Sequence, residues 1–509
     1  MPSTLIKGKY VLCKVGNKDK IEVITDGAVF QKDGEIIDVG KYDTIKACYA
    51  TDEEIGSDQH MVLPGLVNAH QHTRGVSHLL RGASDDNLEL WLIRLLEQKP
   101  VDPYLDNMYS IARLIESGVT TVMHSHFPTG PNYEEGVMSA LKAFKDGGLR
   151  VAFALGIRNQ NNLVYENNQI FLNSLPPSLA TRARQYCADW ISEEEYFTLF
   201  ANLYKEYGTD TSPTVKILHG PAAPQWCSDE LLIRIKQSAD EYQAGIHAHM
   251  LETIYQKLYA FKRFGKTFVE HLNDIGFLSP RVSFAHCIWV TESDMELLAE
   301  SGASVCHNPS SNLRSKSGIA PVNYMMARGV NVALGMDSFT INDDEDMLQE
   351  LRLCANLHRP PGLGKLSPNA SELLKMATVN GARVTLFSNQ IGTLEKGKRA
   401  DIVLVNLESI TEPYLEPELG VIDVLLGRGK ASDVDTVMID GEIVLRNRQH
   451  IRINKGEIVA QLRESLRESL KPSDAARIRL AQELRPYVFE FYKDWQEPVA
   501  SPFYIYNST

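Results

Sequence analysis

Short apolar runs alternate with longer helical patterns over residues 65–388, and this alternation constrains the fold more than any other feature of the sequence. Strand-like runs that alternate with helices pair in parallel, because each helix carries the chain back to the start of the next strand. Over this length the pattern predicts a (β/α)8 TIM barrel. The runs include 119–123, 150–154, 215–218, 244–247, 281–284 and 330–334, and the helical stretches include 104–117, 134–147, 229–242, 291–301 and 344–357.

Strand-like runs without long helices between them lie at both ends of the chain. Near the start, Asp-Gly pairs at 26–27 and 33–34 separate three runs and predict hairpins. Two similar runs lie at 401–405 and 436–444. We expect both ends to pair into one small composite β-sandwich domain, so the predicted fold class is α/β. The predicted units are residues 1–64 and 389–450 for the sandwich, 65–388 for the barrel and 451–509 for a C-terminal helical extension.

Charge and cysteine content limit the function classes. The 509 residues carry a formal net charge of −13, which argues against nucleic acid or an anionic membrane as the main partner. No run approaches the roughly 20 apolar residues that span a bilayer, and the N-terminus lacks the apolar core of a signal peptide. Seven cysteines without a Cys-x-x-Cys pair fit reduced thiols. We therefore expect a cytoplasmic protein.

Metal-binding side chains follow strand-like runs in the predicted barrel. His70 and His72 form a His-x-His motif directly after the run 61–67, and residues i and i+2 of a strand point to the same face. His249 and Asp337 each follow a later run. TIM-barrel enzymes carry their chemistry at the carboxyl ends of the strands, where these residues are expected to meet. Three imidazoles and a carboxylate suit Zn²⁺, and also Fe²⁺ or Mn²⁺.

Three carboxylate and imidazole groups suit proton transfer at such a metal. A catalytic metal lowers the pKa of a bound water from about 15.7 to about 7, which gives a hydroxide at neutral pH. Asp337 can both ligate the metal and accept the water's proton. Glu252, three residues after His249, suits a general acid that protonates a ring nitrogen or a leaving group. His286, at the end of the next run, can polarise the substrate or orient the water.

A series of motifs runs through the chain in a fixed order. They are Pro64–His72, Leu80–Gly82, Gly118–Val122, His249–Thr253, Ala285–Cys287, His307–Asn312, Gly335–Ser338, Ala377–Arg383 and Ile391–Ile402. Together they resemble the amidohydrolase superfamily, in the branch of cytosine-deaminase-like and triazine hydrolases such as atrazine chlorohydrolase and melamine deaminase. The resemblance covers residues 20–450 and implies a barrel with a composite β domain, one divalent metal on the four candidate ligands, and removal of a group from a carbon between ring nitrogens. It also implies that Glu252 and His286 serve proton transfer and substrate contact.

The sequence departs from this branch in three places. Ala222 stands where many purine and pyrimidine deaminases carry the histidine of a Pro-His-x-Pro motif, which argues against a standard nucleobase as substrate. His124 and His126 end the second barrel run, where an Asp or Asn is expected. Residues 159–212 form a long Asn-rich insertion, interpreted as an elaborated loop plus helix that can act as a pocket lid.

Five residues are candidate substrate contacts: Trp91, His126, Gln225, Trp226 and Asn308. Trp91 and Trp226 can line a pocket for a planar ring or pack in the core, and both alternatives stay open. His126 can contact the substrate or form a hydrogen bond at the strand end. Asn308 is expected to fix the loop beside the metal, because Asn tolerates tight turns.

These features predict a metal-dependent hydrolase, and most specifically an aminohydrolase that deaminates an aminated N-heterocyclic small molecule. Other enzymatic alternatives are hydrolysis of another C–N bond, of a C–Cl or C–S bond, or opening of a cyclic amide. A non-catalytic metal-binding scaffold is the alternative of another class, and the presence of Glu252 beside an intact ligand set argues against it. The expected cofactor is one Zn²⁺ per subunit, with Fe²⁺ as the alternative, in a homodimer or larger homo-oligomer.

Overall fold

The structure is a computed structural model that describes residues 2–15, 20–127, 132–188, 191–208 and 214–495. Within these residues the chain forms sixteen strands and twenty α-helices. The strands are β1 (Thr4–Val15), β2 (Ile21–Lys32), β3 (Glu35–Lys41), β4 (Glu53–Pro64), β5 (Leu66–Gln71), β6 (Val119–His126), β7 (Arg150–Ile157), β8 (Val215–Pro221), β9 (Ile246–Met250), β10 (Val282–His286), β11 (Ser304–His307), β12 (Asn331–Leu334), β13 (Ile402–Asn406), β14 (Val434–Ile439), β15 (Glu442–Arg446) and β16 (Gln449–His450). The helices are α1 (Tyr42–Cys48), α2 (Leu88–Leu95), α3 (Pro103–Glu116), α4 (Tyr133–Gly147), α5 (Asn168–Asn173), α6 (Pro177–Ala188), α7 (Glu193–Tyr207), α8 (Asp229–Tyr242), α9 (Ile254–Phe264), α10 (Phe268–Asp274), α11 (Glu292–Ser301), α12 (Pro309–Arg314), α13 (Val322–Ala327), α14 (Met347–Leu357), α15 (Ala370–Met376), α16 (Val379–Val384), α17 (Glu408–Thr411), α18 (Val421–Arg428), α19 (Lys455–Arg467) and α20 (Pro472–Tyr492).

Strands β5 to β12 form the barrel. They pair in chain order, and each observed pairing is parallel. The ring closes just beyond β12, where the backbone nitrogens of Met336 and Asp337 donate to the His70 carbonyl oxygen at 3.2 and 2.9 Å. The predicted (β/α)8 barrel is confirmed. Its interior is filled by small and medium side chains, among them Val67, Ala69, Met123, Ala152, Ala154, Leu218, Cys306 and Ala333.

Both ends of the chain contribute to a second, mixed sheet. Its order is β16-β15-β14-β13-β4-β1-β2-β3, so β13 from the C-terminal part pairs with β4 from the N-terminal part. The predicted composite β unit is confirmed in this form, a single hydrogen-bonded sheet of eight strands. Of the two predicted hairpin turns, Asp33-Gly34 connects β2 and β3.

The other hairpin prediction, at Asp26-Gly27, is wrong. Both residues lie inside β2, where Gly27 pairs with Gly8 on one side and Lys41 on the other. A Cβ at position 27 would lie 2.7 Å from a methyl carbon of Val11. Glycine is therefore needed here for close packing inside the sheet and not for a turn.

Local signals in the sequence set the starts of several barrel helices. Ser192, Thr267 and Thr291 each cap a helix, and in each case the acidic residue three positions later bonds back to the backbone of the cap. These reciprocal bonds satisfy backbone N–H groups that have no partner inside the helix. The caps thereby fix where each of these three helices begins.

A buried ion pair joins the barrel to the mixed sheet. Arg150, at the start of β7, places Nη2 2.8 Å from Oδ1 of Asp401, directly before β13, and both side chains are buried. Asp401 also accepts a hydrogen bond from the backbone of Asp440. Because Arg150 lies at the amino end of its strand, the mixed sheet covers that end and leaves the carboxyl ends for the functional site.

The described parts of the insertion and of the C-terminal extension contain helices. Residues 159–212 contain α5, α6 and α7 in their described part, so the insertion holds three helices where one was expected. Helices α19 and α20 follow the mixed sheet, and α20 packs against α2. Residues 189–190, 209–213 and 496–509 lie outside the described part of the chain. Among the described helices, none combines the length and apolarity needed to cross a membrane.

Candidate metal centre

The four predicted metal ligands come together at the carboxyl ends of the barrel strands. His70 lies in β5 and His249 in β9, His72 directly follows β5, and Asp337 lies three residues after the end of β12. Their ligand atoms all lie within 4.8 Å of one another. Oδ1 of Asp337 is 3.1 Å from Nε2 of His70 and 3.3 Å from Nε2 of His72, and the Nε2 atoms of His72 and His249 are 3.3 Å apart.

Backbone carbonyls orient two of the imidazoles. His72 donates from Nδ1 to the Ser125 carbonyl oxygen at 2.8 Å, and His249 donates from Nδ1 to the Ala222 carbonyl oxygen at 2.7 Å. A carbonyl oxygen can only accept, so the proton of each neutral ring lies on Nδ1. Each Nε2 therefore presents its lone pair to the centre, which is the arrangement that ligating histidines adopt.

A fourth histidine, His247, orients His70. Nδ1 of His70 is 2.8 Å from Nε2 of His247, and Nδ1 of His247 is 2.8 Å from Oγ of Ser283. Nε2 of His70 is buried and has no hydrogen-bond partner among the described residues. A buried nitrogen without a partner is costly, and a metal ion at the centre would remove that cost.

Glycine at position 335 allows β12 to approach β5 closely enough to place Asp337. A Cβ on Gly335 would lie 2.3 Å from Oδ1 of Asn308 and 2.9 Å from the backbone nitrogen of His70. Both neighbours are held in the site, so a larger residue would push Asp337 away from the histidines. Asp337 itself adopts a left-handed backbone conformation, with φ at 57°.

The electrostatics of the four side chains suit a divalent cation. Burial lowers the pKa of His70 and His72 well below the ordinary histidine value, and it lowers the pKa of His249. Burial alone would raise the pKa of Asp337, but His72 and the other nearby histidines outweigh it and hold that pKa below its usual range. The result is three neutral nitrogen donors and one charged oxygen donor, a set that fits Zn²⁺ and similar metals.

Glu252 and His286 lie at the edge of the ligand set. Nε2 of His286 is 3.7 Å from Oε2 of Glu252 and 3.8 Å from Oδ2 of Asp337. His286 places Nδ1 2.8 Å from Oδ1 of Asn312, which leaves Nε2 as an acceptor, and burial lowers the His286 pKa to about 4. Burial, together with the negative charges of Asp337 and Glu89, raises the pKa of Glu252 well above its usual range. The site thus combines a carboxyl that holds its proton with an imidazole that does not.

Three of the predicted substrate contacts lie in different surroundings. Asn308 is buried, and its amide nitrogen is 3.4 Å from Nδ1 of His286. Trp91, on α2, is half-buried against Phe339, and its Nε1 has no partner among the described residues. His126 bonds through Nδ1 to His124 at 3.1 Å and stacks on a phenylalanine ring of β7. Substrate contact by each of these residues stays a prediction.

Gln225 and Trp226 lie in a short helical turn after β8. Trp226 is buried among aromatic rings, including those of Phe127 and Tyr165. Gln225 is fully buried, and neither atom of its side-chain amide has a hydrogen-bond partner in the described part of the chain. Their roles as substrate contacts also stay predictions.

Four residues that hold the site were not singled out for it from the sequence. Besides His247, Ser311 donates from Oγ to Oδ2 of Asp337 at 2.6 Å, Asn312 bonds His286, and Glu89 accepts from Thr253. One of them carried a signal, because His247 precedes His249 by two residues and so lies on the same face of β9. Ser311 and Asn312 lie in the motif His307–Asn312 but were given no role there, and Glu89 comes from α2, distant in sequence from the ligands.

A second group of ligand-type side chains lies outside this centre. His307 ends β11, and Cys354 and His358 are one helical turn apart at the end of α14, with their ligand atoms within 4.8 Å. The Nε2 atoms of the two histidines share a hydrogen bond at 2.9 Å. Burial raises the pKa of the Cys354 thiol. The two Nε2 atoms therefore satisfy each other without an ion, whereas Nδ1 of His307 is buried and has no hydrogen-bond partner among the described residues. The buried thiol acts as a small apolar side chain.

Comparison with known proteins agrees with this architecture. The chain is 30% identical over 474 residues to 5′-deoxyadenosine deaminase of Methanosarcina mazei, which covers 92% of this chain and 98% of the relative. A solved adenosine deaminase from Xanthomonas campestris with bound zinc is 26% identical and superposes with a TM-score of 0.77 over 94% of this chain and 98% of the other. An atrazine chlorohydrolase from Arthrobacter aurescens complexed with zinc shares the fold. It is 22% identical and superposes with a TM-score of 0.75 over 91% of this chain and 100% of the other.

A family match covers most of the chain. Residues 61–444 match the amidohydrolase family, a span that contains all four candidate ligands, Glu252 and His286. The chain therefore belongs to the amidohydrolase family, which confirms the predicted family and the prediction of a hydrolase that acts on carbon–nitrogen bonds.

Proposed function

We propose that this protein is a zinc-dependent aminohydrolase that removes the exocyclic amino group of a nitrogen heterocycle. The observation that carries the proposal is the placement of Glu252, a buried carboxyl with a raised pKa, 3.7 Å from His286 at the edge of the ligand set. A carboxyl that keeps its proton can protonate a ring nitrogen, which deamination requires and a metal-binding scaffold does not. The names of the relatives, which are deaminases of adenosine compounds, support the same reaction.

His70, His72, His249 and Asp337 would hold the metal. When bound, a divalent ion supplies a Lewis acid that polarises a water molecule and lowers its pKa. His70 and His249 are buried, and His72 and Asp337 are half-buried, so bulk water has limited access to the centre. The ring of the substrate is then the group that must enter between the ligands and Glu252.

The remaining chemistry follows from the proton positions. Asp337 turns Oδ1 toward His70 and His72, which leaves Oδ2, 3.8 Å from His286, to accept the proton of the attacking water. His286 orients that water, because its Nε2 can accept a hydrogen bond. The water oxygen bonds to the ring carbon while Glu252 protonates the adjacent ring nitrogen. The amino group leaves as ammonia with the proton from Asp337, and the hydroxyl proton returns to Glu252, so the product is a ring carbonyl.

Adenosine-type nucleosides are the first substrate class that we propose. Relatives that cover nearly the whole chain are named for deamination of such compounds. The buried Gln225 side chain, which has both a donor and an acceptor without partners in the described chain, offers a pair of groups that a purine edge can use.

Hydrolysis of a ring carbon–chlorine bond is the second candidate, and one observation favours it. Ala222 provides no imidazole at the position where many nucleobase deaminases carry one, and its carbonyl oxygen is occupied by His249. A triazine carbon bonded to chlorine needs the same attack and the same ring protonation. Chloride in place of ammonia is then the product to measure.

The test is product release by the zinc-loaded protein. Aminated purine nucleosides, purines, pyrimidines, pterins and triazines are supplied in turn, and ammonia and chloride are measured. We expect ammonia from one class, and a loss of at least about 100-fold in kcat for Glu252→Gln with zinc content unchanged. Glu135→Gln, an exposed carboxylate on α4, is the matched control and should keep full activity. Absence of ammonia across the panel from the metal-replete protein would overturn the deaminase proposal.

Three finer expectations belong to the same proposal. We propose Zn²⁺ over Fe²⁺ because three imidazole nitrogens and one carboxylate oxygen form a donor set typical of zinc hydrolases. The homodimer or larger oligomer and the cytoplasmic location stay predictions. Metal analysis of the purified protein, light scattering and cell fractionation test them in that order.

A further inference from the structure

A ring of hydrogen bonds surrounds the backbone that carries Glu252. Glu89, Tyr165, Thr253 and Gln256 form it, and we call it the Glu89 ring. Oε1 of Glu89 accepts from Oγ1 of Thr253 at 2.5 Å and from the Tyr165 hydroxyl at 3.0 Å. The Tyr165 hydroxyl accepts from Nε2 of Gln256 at 3.4 Å, and Oε1 of Gln256 accepts from the backbone nitrogen of Glu252 at 2.8 Å.

The Glu89 ring joins three separate parts of the chain. Glu89 lies in α2, Tyr165 in the insertion, and Thr253 and Gln256 at the start of α9. All four side chains are buried. The bonds to Glu89 all use Oε1, and its Oε2 has no hydrogen-bond partner among the described residues. Buried hydrogen bonds make a local structure rigid, so those of the ring fix the backbone at 252 and 253 relative to the barrel.

The C-terminal helix adds one more bond. The hydroxyl of Tyr492, near the end of α20, accepts from the backbone nitrogen of Tyr165 at 2.7 Å, and the two rings pack edge to face at 5.5 Å. Tyr492 is buried. Helix α20 is anchored to the segment after α2 through Arg485, which bonds Glu97 at 2.8 Å.

Helix α20 lies outside residues 61–444, the part that matches the family. It nevertheless bonds Tyr165 through Tyr492. Tyr165 is in turn joined to the backbone of Glu252 by two hydrogen bonds, which pass through Gln256. A helix that only covered an apolar surface would need no buried hydroxyl at this point. We propose that α20 supports the active site from outside it, and that Tyr492 is a positioning residue that fixes Tyr165 and, through the Glu89 ring, the backbone of Glu252.

This inference rests on the proposed role of Glu252, so its first test is independent of turnover. Hydrogen–deuterium exchange is measured by mass spectrometry on peptides that cover residues 249–257 in the metal-loaded protein. Tyr492→Phe keeps the aromatic side chain and removes the hydroxyl that accepts from the Tyr165 N–H. We expect exchange in these peptides to become about fivefold faster, because one buried hydrogen bond contributes about 1 kcal/mol. Tyr165→Phe removes the two hydrogen bonds that the Tyr165 hydroxyl makes in the Glu89 ring, and it should give the same change.

Tyr487→Phe is the matched control. Tyr487 lies on the same helix and packs half-buried against the core, and no hydrogen bond joins it to the Glu89 ring within the described residues. Its exchange in residues 249–257 should match the wild type. Unchanged exchange there in both Tyr492→Phe and Tyr165→Phe would overturn the proposal, and so would an equal rise in Tyr487→Phe.

A kinetic measurement separates positioning from general structure. On any substrate that the wild type converts, Tyr492→Phe should lower kcat about fivefold and leave KM within about twofold, because the ring positions the acid and not the substrate. A raised KM with an unchanged kcat would contradict this role. If the wild type converts no substrate, the proposed function fails, and the exchange result still decides whether α20 holds the backbone of Glu252.

Discussion

Substitution of His247 by phenylalanine should weaken metal binding, although His247 is not itself a proposed ligand. His247 is buried, and its Nε2 lies 2.8 Å from Nδ1 of His70. Phenylalanine has a similar shape and cannot bond to the imidazole. The Nδ1 of His70 is then left in a dry interior without a partner, and the ring loses the contact that turns Nε2 toward the centre.

The size of the effect follows from these contacts. A buried polar group left unsatisfied costs about 1–3 kcal/mol. Loss of a residue that orients a ligating histidine weakens metal binding about 10- to 100-fold, which corresponds to about 1.4–2.7 kcal/mol. The two estimates agree, so we expect the zinc Kd of His247→Phe to rise about 10- to 100-fold.

Competition for zinc with a chromophoric chelator measures this change directly. His219→Phe is the matched control, because His219 is an equally buried barrel histidine that bonds Tyr196 at 2.8 Å and Ser238 at 3.0 Å, away from the ligands. It should lower stability and leave zinc affinity unchanged. The reasoning fails if His247→Phe binds zinc within about twofold of the wild type, or if both variants lose affinity equally.

Three further predictions concern stability. Burial raises the pKa of Glu345 from 4.5 to about 7, so the folded state holds a proton that the unfolded state releases. As pH rises from about 4.5 to about 7, the wild type should therefore lose about 3 kcal/mol of unfolding free energy relative to Glu345→Gln. The same pH dependence of the urea-unfolding free energy in both proteins would contradict this. Asp401→Ala leaves the buried guanidinium of Arg150 without its closest partner and should cost about 3 kcal/mol in urea unfolding, whereas a cost below about 1 kcal/mol would show that Asp440 replaces it. Removal of metal with a chelator should abolish activity and lower Tm. Zinc at about 100 times its Kd should then raise the free energy of unfolding by about 2.7 kcal/mol. No rise in stability on zinc addition would contradict a metal site.

The positions of the metal ligands were predictable from the sequence because of one property of the fold. Parallel strands in a barrel end on the same side, so His70, His249 and Asp337, each at or just past a strand end, had to meet there once the alternation was recognised. The spacing of His70 and His72 added a local constraint of its own. The same logic placed Glu252 beside His249 and His286 on the neighbouring strand, where Ala285 pairs with His249.

The support around the ligands was not predictable in the same way. Ser311 and Asn312 reach Asp337 and His286 from α12. Tyr165, in the insertion, belongs to the Glu89 ring, and Tyr492, on the terminal helix, bonds Tyr165. Their contacts depend on how loops and helices pack, and no periodicity in the sequence encodes that packing. The Asp26-Gly27 error has a related cause, because a glycine needed for close packing between strands has the same local sequence as one needed for a turn.

We propose above all that one divalent metal binds between His70, His72, His249 and Asp337. Anomalous diffraction at the zinc edge, from crystals of the zinc-loaded protein, tests it most directly. We expect one strong peak per chain, at about 2.0–2.2 Å from the three Nε2 atoms and from a carboxylate oxygen of Asp337. No peak at this centre, or a peak between His307, Cys354 and His358 instead, would contradict it.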